Sequence, residues 1–321
     1  MTTTKSRTDA VSSAEVVLER NPGLPLDMGW VARAHINRSA IERRIRVLAA
    51  RRVLQDEWQV AWLLRAITCI DLTALSGDDT PGNVRHLCAK ALQPLRANVL
   101  AALGCPTLTT GAVCVYHNLI PTAVQALEGS NLPIAAVSTG FPAGQAPFEQ
   151  KVDEIRASVR AGASEIDIVI SRAHVLTGNW QALYDEVKAY REACGAAHMK
   201  TILETYELAT LSNVYKASLI CMMAGADFIK TSTGKVAVNA TLPVGLTMLR
   251  AIREYHEQSG YKVGFKPAGG VSSAAAVLNW LILMHEELGV EWTHNTLFRI
   301  GASSLLGDIE RQLNDYVSAL S

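Results

Sequence analysis

A lysine stands where the pattern asks for an apolar residue, because Asp227-Phe228-Ile229-Lys230 closes the short strand-like run DFIKTST. Burying an ammonium group is costly unless a counter-charge is close or the group gives up its proton. That cost is useful to a nucleophile. A lysine attacks a carbonyl only when neutral, and burial or a neighbouring cation lowers its pKa toward working pH. Lys266, in GFKPAGG, supplies such a cation on the next run, and Asp167 in EIDIVI and Asp71 in IDLTAL add carboxylates to equally apolar surroundings. Four ionisable groups at strand interiors or ends are hard to explain as scaffold. Taken alone, Lys230 also fits a buried ion pair with Asp167, or a side chain that reaches solvent along its own stem. Lys200, at the start of KTILET, reads as an electrostatic accessory.

Three clusters of small and hydroxyl-bearing residues follow the last three strand candidates: Thr231-Ser232-Thr233-Gly234-Lys235, then Gly269-Gly270, then Gly301-Ala302-Ser303-Ser304. Late loops of a barrel hold phosphate with backbone amides and the N-terminus of a short helix. One such cluster usually makes only a turn. Three in the expected loops imply a phosphorylated substrate. Cys114, between Val113 and Val115, reads as a small buried hydrophobe, with an active-site thiol open to aldehydes as the alternative. The eight histidines show no metal-ligand spacing, and no G-x-S-x-G elbow, Walker loop or dinucleotide fingerprint occurs. The expectation is therefore neither metal nor organic cofactor.

The elements that must position these residues follow from the pattern. From about Ile67, β-branched runs alternate with helical stretches, the sign of parallel βαβ units. Eight strands are predicted, at 67–75, 111–116, 133–141, 165–170, 199–205, 227–233, 262–268 and 297–302. Eight is the number of a (β/α)8 TIM barrel, an α/β fold. Thr80-Pro81 opens one intervening helix, Val152, Ile155 and Val159 form a stripe that stops at Gly162, and Thr241 and Pro243 open another. Ala161-Gly162-Ala163 runs into EID as Ala224-Gly225-Ala226 runs into DFIK, and five residues beyond each glycine stand Asp167 and Lys230. Alternate strands of a barrel share an interior layer, so the two charges are expected to meet. Residues 1–66 read as an N-terminal extension, a loop and a helix from Arg38 to about Arg52 packed on a barrel of 67–321. Arg43, Arg44, Arg46, Arg51 and Arg52 read as a solvated helix face, with a docking patch as the alternative.

Composition agrees with a small-molecule enzyme. The chain of 321 residues is 49% hydrophobic and 19% charged, with 30 basic residues balancing 30 acidic ones. No net charge marks it for nucleic acid or an anionic membrane. No stretch is apolar enough to span a bilayer, and the first residues lack a secretory or transit pattern. Six scattered cysteines without a C-x-x-C pair suit free thiols and a cytoplasmic location. A homodimer is the commonest symmetric assembly for such a chain.

On these residues the sequence resembles the deoxyribose-phosphate aldolase family over roughly Ile67 to Leu313. IDLTAL, AVCVY, GFPAGQ, EIDIVI, KTILET, DFIKTSTGK, NAT, GFKPAGG and RIGASSLL occur in the family's order. The extension, LTGNWQALYDEV and EELGVEW are similar to its longer, eukaryotic-type branch. The resemblance implies a class I aldolase that reversibly cleaves 2-deoxy-D-ribose 5-phosphate to D-glyceraldehyde 3-phosphate and acetaldehyde in deoxyribonucleoside catabolism. It makes Lys230 the imine-forming lysine, Lys266 the lysine that tunes it, Asp167 the proton relay and Asp71 a positioning carboxylate. Cys114, Thr233 and Lys200 would border the pocket. Gly234, Lys235, Gly269, Gly270, Ser272, Gly301, Ser303 and Ser304 would hold the phosphate. Three departures stand out: Ser272 where the family usually has arginine, His117 where proline is common, and Tyr316 inside a terminal helix in place of a mobile terminal tyrosine. They imply relaxed phosphate preference, a looser loop after the second strand and slower proton transfer at C2. The alternatives are a Schiff-base aldolase for another aldehyde pair and a non-catalytic phosphosugar-binding barrel.

Overall fold

The computed structural model describes residues 20–51 and 56–320. Its centre is a ring of short strands: β1 (Ile70–Thr73), β2 (Ala112–Val115), β3 (Ile134–Ser138), β4 (Glu165–Val169), β5 (His198–Ile202), β6 (Phe228–Lys230), β7 (Gly264–Lys266) and β8 (Ile300–Ala302). All neighbours pair in parallel, in the order β7-β6-β5-β4-β3-β2-β1-β8. Isolated bridges Phe265–Phe298 and Ala268–Gly301 join β7 to the β8 segment and bring the ring nearly to closure.

Alternation along each strand separates two environments. Ile166, Ile168, Ile229 and Phe265 face out into the large core shared with the helices, where Phe265 packs on Trp280. Asp167, Lys230 and Lys266 occupy the alternate positions, which point into the ring. Gly264, two residues before Lys266, shares their face and is glycine because a Cβ there would lie 2.3 Å from the Phe228 ring, which fills the space.

The helices begin and end as their punctuation predicts. Thr80 caps Pro81–Leu92 by accepting from the Asn83 amide at 3.3 Å, an interaction of about 1 kcal/mol. Gly162 and Gly225 both take positive φ, +110° and +96°, after the helices Phe148–Arg160 and Leu211–Met223. The AGA echo is thus one turn used twice, and it launches β4 and β6 alike. Thr241 precedes Leu242–Ser259 in extended conformation, but its hydroxyl makes no capping bond.

The segment ahead of the ring departs from expectation in two places. Met28–Arg33 is a short helix within the predicted loop, capped by Asp27. Asp56–Thr68 is also helical, so Ile67 belongs to a helix and β1 starts at Ile70. Leu63, Ala66 and Ile67 are all buried, the spacing of a helix laid on a core, and the β-branched ITCI run hid it. Arg38–Arg51 packs against Leu242–Ser259 and Ala274–Leu288. There Arg44 pairs with Glu287 at 2.9 Å, while Arg43 and Arg46 are exposed. Arg52 and the side chain of Arg51 lie outside the described residues. Further upstream, Asn21 Nδ2 donates to the carbonyls of Met222 and Ala226, and Arg20 pairs with Asp227 at 3.2 Å. This strap therefore holds the turn that feeds β6.

Candidate active site

β6 ends on Lys230, whose Cα pairs in register with Lys266 on β7. Both ammonium groups reach Asp167 on β4: Nζ to Oδ2 is 2.8 Å from Lys230 and 2.7 Å from Lys266. Lys266 also bonds Asp71 on β1. Lys200, the middle residue of β5, donates to the other Asp167 oxygen at 2.9 Å and to Glu165 at 2.5 Å. Arg299, just before β8, closes the set with Asp71 at 2.7 Å and Glu165 at 2.8 Å.

Lys230 alone of this set opens onto a cavity of about 510 Å³. The rim comes from the loops after β6, β7 and β8: Thr233, Gly234, Lys235, Gly269, Gly270, Ser272, Gly301, Ser303 and Ser304 all line it. Gly269 has φ +76°, and a Cβ on it would strike the Asn239 side chain at 2.5 Å, so glycine is required where the two loops meet. The end of β1 and the loop after it, next to the loop after β8, complete the wall with Thr73, Ser76 and Asp79, joined by Asn83. That wall was not anticipated, since hydroxyl and acidic residues ahead of a helix look like capping signals.

The charges sort the lysines into different states. Burial lowers the Lys230 pKa; Asp167 opposes it and Lys266 adds to it. Lys266 is equally buried, but Asp167 and Asp71 outweigh burial and move its pKa up. Lys200 also moves up, because Asp167, Glu165 and Asp71 together overcome burial. Burial acts against the Asp167 carboxylate too, yet Lys200, Lys230 and Lys266 hold it well below the usual range. The depression of Lys230 thus owes more to burial than to repulsion by Lys266.

Several expected residues sit elsewhere. Asp71, Asp167, Lys200 and Lys266 are fully buried and do not line the cavity. Cys114 is also behind the wall, packed with Leu75, Ala135 and Val137, and burial pushes its thiol up to about 11. Lys200 is a hub of the buried set, not a strand-end accessory. Glu165 and Arg299 were missed: Glu165 opens its run, where a charge normally signals only the strand's end, whereas Arg299 stands between Phe298 and Ile300 inside the predicted run 297–302, the same signal that marked Lys230. Glu204 was missed as well, at φ +53° just beyond β5, buried, with Oε2 accepting from the Thr233 amide at 3.1 Å and hydroxyl at 2.6 Å. His117 opens a 3-10 turn and its Nδ1 lies 3.0 Å from the Ser158 hydroxyl, so the loop after β2 is anchored. Tyr316 lies in the helix Leu305–Leu320.

Fold and site together define an α/β-barrel enzyme built around a lysine that opens onto a polar-rimmed cavity. The model of the DeoC/LacD family aldolases matches residues 65–306, and the chain belongs to that family. It is 56% identical over 302 residues to deoxyribose-phosphate aldolase of Homo sapiens, covering 93% of this chain and 95% of that protein. Against deoxyribose-phosphate aldolase of Mus musculus it is 57% identical over 300 residues, covering 92% and 94%. Among solved structures, a putative deoxyribose-phosphate aldolase from Toxoplasma gondii superposes with a TM-score of 0.68 at 20% identity, covering 82% of this chain and 97% of that one. One from Coccidioides immitis gives 0.65 at 23%, covering 87% and 99%. At those identities the structures speak for the fold alone.

Proposed function

We propose that the chain is a Schiff-base deoxyribose-phosphate aldolase with Lys230 as the nucleophile. The observation that carries this reading is a buried lysine, with its pKa lowered, at the inner end of a cavity rimmed by three small-residue loops. Lys230 attacks C1 of the open-chain sugar, and the carbinolamine loses water to give an iminium ion. The C3 hydroxyl then loses its proton and the C2–C3 bond breaks, its electron pair passing into the enamine. The bond is C2–C3 because acetaldehyde keeps C1 and C2. Glyceraldehyde 3-phosphate is released, the enamine is protonated at C2, and hydrolysis frees acetaldehyde and Lys230.

Asp167 suits the iminium stage. Its carboxylate faces the Lys230 nitrogen and stays ionised, so it stabilises the cation and passes protons through water without storing one. Lys266 and Lys200 hold that carboxylate in place. Asp71 acts on substrate only through Lys266. At the rim, the amides of Gly234, Gly269, Gly270, Ser303 and Ser304 and the Lys235 ammonium suit a phosphate, beside the first turn of Leu305–Leu320, whereas the Gly301 amide is committed to the Pro267 carbonyl at 3.0 Å. Lys230 and Lys235 are the only cations among the described residues lining the cavity. Ser272 adds a hydroxyl and no charge, which supports a relaxed preference for phosphorylated sugars. We also propose a cytoplasmic homodimer: no described cysteine is in a disulfide, which suits a reducing compartment, and twofold assembly is the commonest symmetric state.

Borohydride reduction in the presence of acetaldehyde tests the nucleophile. The expected result is a stable adduct on Lys230 that Lys230→Ala abolishes; an adduct that survives the substitution removes Lys230 from this role. Cleavage of deoxyribose 5-phosphate, deoxyribose and a panel of other aldol substrates tests specificity. Ser272→Arg should raise the kcat/KM preference for the phosphate about tenfold, the effect of one added charge-assisted contact.

A further inference from the structure

The buried set around Lys230 has an odd charge. Three carboxylates, Asp71, Glu165 and Asp167, meet four cations, Lys200, Lys230, Lys266 and Arg299, and none of the seven is more than 5% exposed. If every group is ionised, one positive charge is left over. An excess charge away from water is expensive, and a buried cluster sheds it by releasing a proton.

The contacts decide which cation gives way. Arg299 does not deprotonate in proteins. Lys200 has Glu165, Asp167 and Asp71 within 3.6 Å, and Lys266 has Asp167 and Asp71. Lys230 has Asp167 alone. Cys114 on β2 and Cys69 ahead of β1 are held as thiols by burial, and burial likewise disfavours a proton on His198 of β5, which sits beside Glu165 and Lys200. Asp79 and Lys235 line the cavity outside the buried set.

We propose that Arg299 and Glu165, which do not line the cavity, are tuning residues for the nucleophile: Arg299 supplies the surplus charge that drives the proton off Lys230, and Glu165 limits that surplus to one. This rests on Lys230 being the imine-forming lysine. Arg299 reaches Lys230 through carboxylates that both share with Lys200 and Lys266. Its effect is therefore on protonation, not on substrate contact.

The test is the pH dependence of kcat/KM for deoxyribose 5-phosphate and of the borohydride-trapped acetaldehyde adduct, in the full-length protein. Activity needs the neutral amine, so the acid limb follows the Lys230 pKa. Arg299→Gln removes the surplus, and the limb should move up by about one pH unit, with roughly tenfold loss below it and little above it. Glu165→Gln should move the limb down. The double variant Glu165→Gln/Arg299→Gln restores a surplus of one and should return the limb toward wild type. A uniform loss at every pH in Arg299→Gln, or a double variant that stays with Arg299→Gln, overturns the proposal and leaves a merely structural pair. If Arg299→Gln does not fold, Glu165→Gln alone decides: an unmoved limb is equally fatal. A wild-type protein that traps no adduct on Lys230 would instead overturn the aldolase reading itself.

Discussion

Lys230 and Lys266 are the same residue type, paired in register, equally buried, and pushed in opposite directions. The difference is the number of carboxylates within reach, one against two. Cys114 shows the same logic for a thiol. Burial raises it to about 11, so below pH 9 almost no thiolate exists to attack an electrophile. Cys105 is the one described cysteine that is not buried. Brief iodoacetamide treatment of the native protein at pH 8, read by peptide mass spectrometry, should modify Cys105 and spare Cys114. Modification of Cys114 at the rate of Cys105 would show a thiol open to the cavity, the alternative that the packing with Leu75 and Val137 argues against.

At the level of elements, the loop after β6 is shaped by the end of β5. Glu204 holds the Thr233 amide and hydroxyl, and the Thr233 hydroxyl in turn accepts from the Lys235 amide at 3.1 Å. Removing a charged acceptor from a buried amide costs about 1.5–3 kcal/mol. Glu204→Ala should therefore raise KM for the phosphorylated substrate roughly tenfold while kcat changes little. Steady-state kinetics with and without the phosphate separates this from general damage, which would raise both alike. The eight strands were legible because each is a β-branched run with its own turn, and Lys230 and Asp167 because a charge inside such a run is conspicuous. Glu165, Arg299 and Glu204 were passed over. Glu165 opens its run, where charge is ordinary, but Arg299 and Glu204 lie within the predicted runs 297–302 and 199–205, where the signal that marked Lys230 was also present. The helix Asp56–Thr68 stayed hidden because its last turn shares the composition of the strand that follows.

For the whole molecule, the buried set ties stability to pH. Asp71, Glu165 and Asp167 are all depressed below their ordinary values. Their contribution is complete above the unfolded carboxylate range of about 4 and is lost as pH falls below it and protons bind. Lys200 and Lys266 are raised, so theirs is complete below about 10.4 and is lost as pH rises further. Tm should be nearly level between pH 5 and 8 and drop steeply below about pH 4, as buried ion pairs each worth several kcal/mol to break lose a partner. A Tm unchanged at pH 3, by calorimetry, would contradict the coupling. The strap through Arg20 and Asn21 joins the N-terminal segment to this unit through Asp227, three residues before Lys230.

The cavity has Lys230 at its inner end, with Phe228 and the buried charges behind it and the glycine and serine loops at the mouth. On the proposed imine chemistry at Lys230, such a vessel would impose a queue. The fragment bonded to the nitrogen is the inner one, and the fragment carrying the phosphate stands between it and the solvent. In the cleavage direction the three-carbon product departs first and the two-carbon product last; in synthesis the two-carbon aldehyde must be seated before its partner arrives. A flooding concentration of the three-carbon aldehyde therefore blocks the doorway instead of speeding the reaction, and the depth of one lysine becomes a rule of kinetic order.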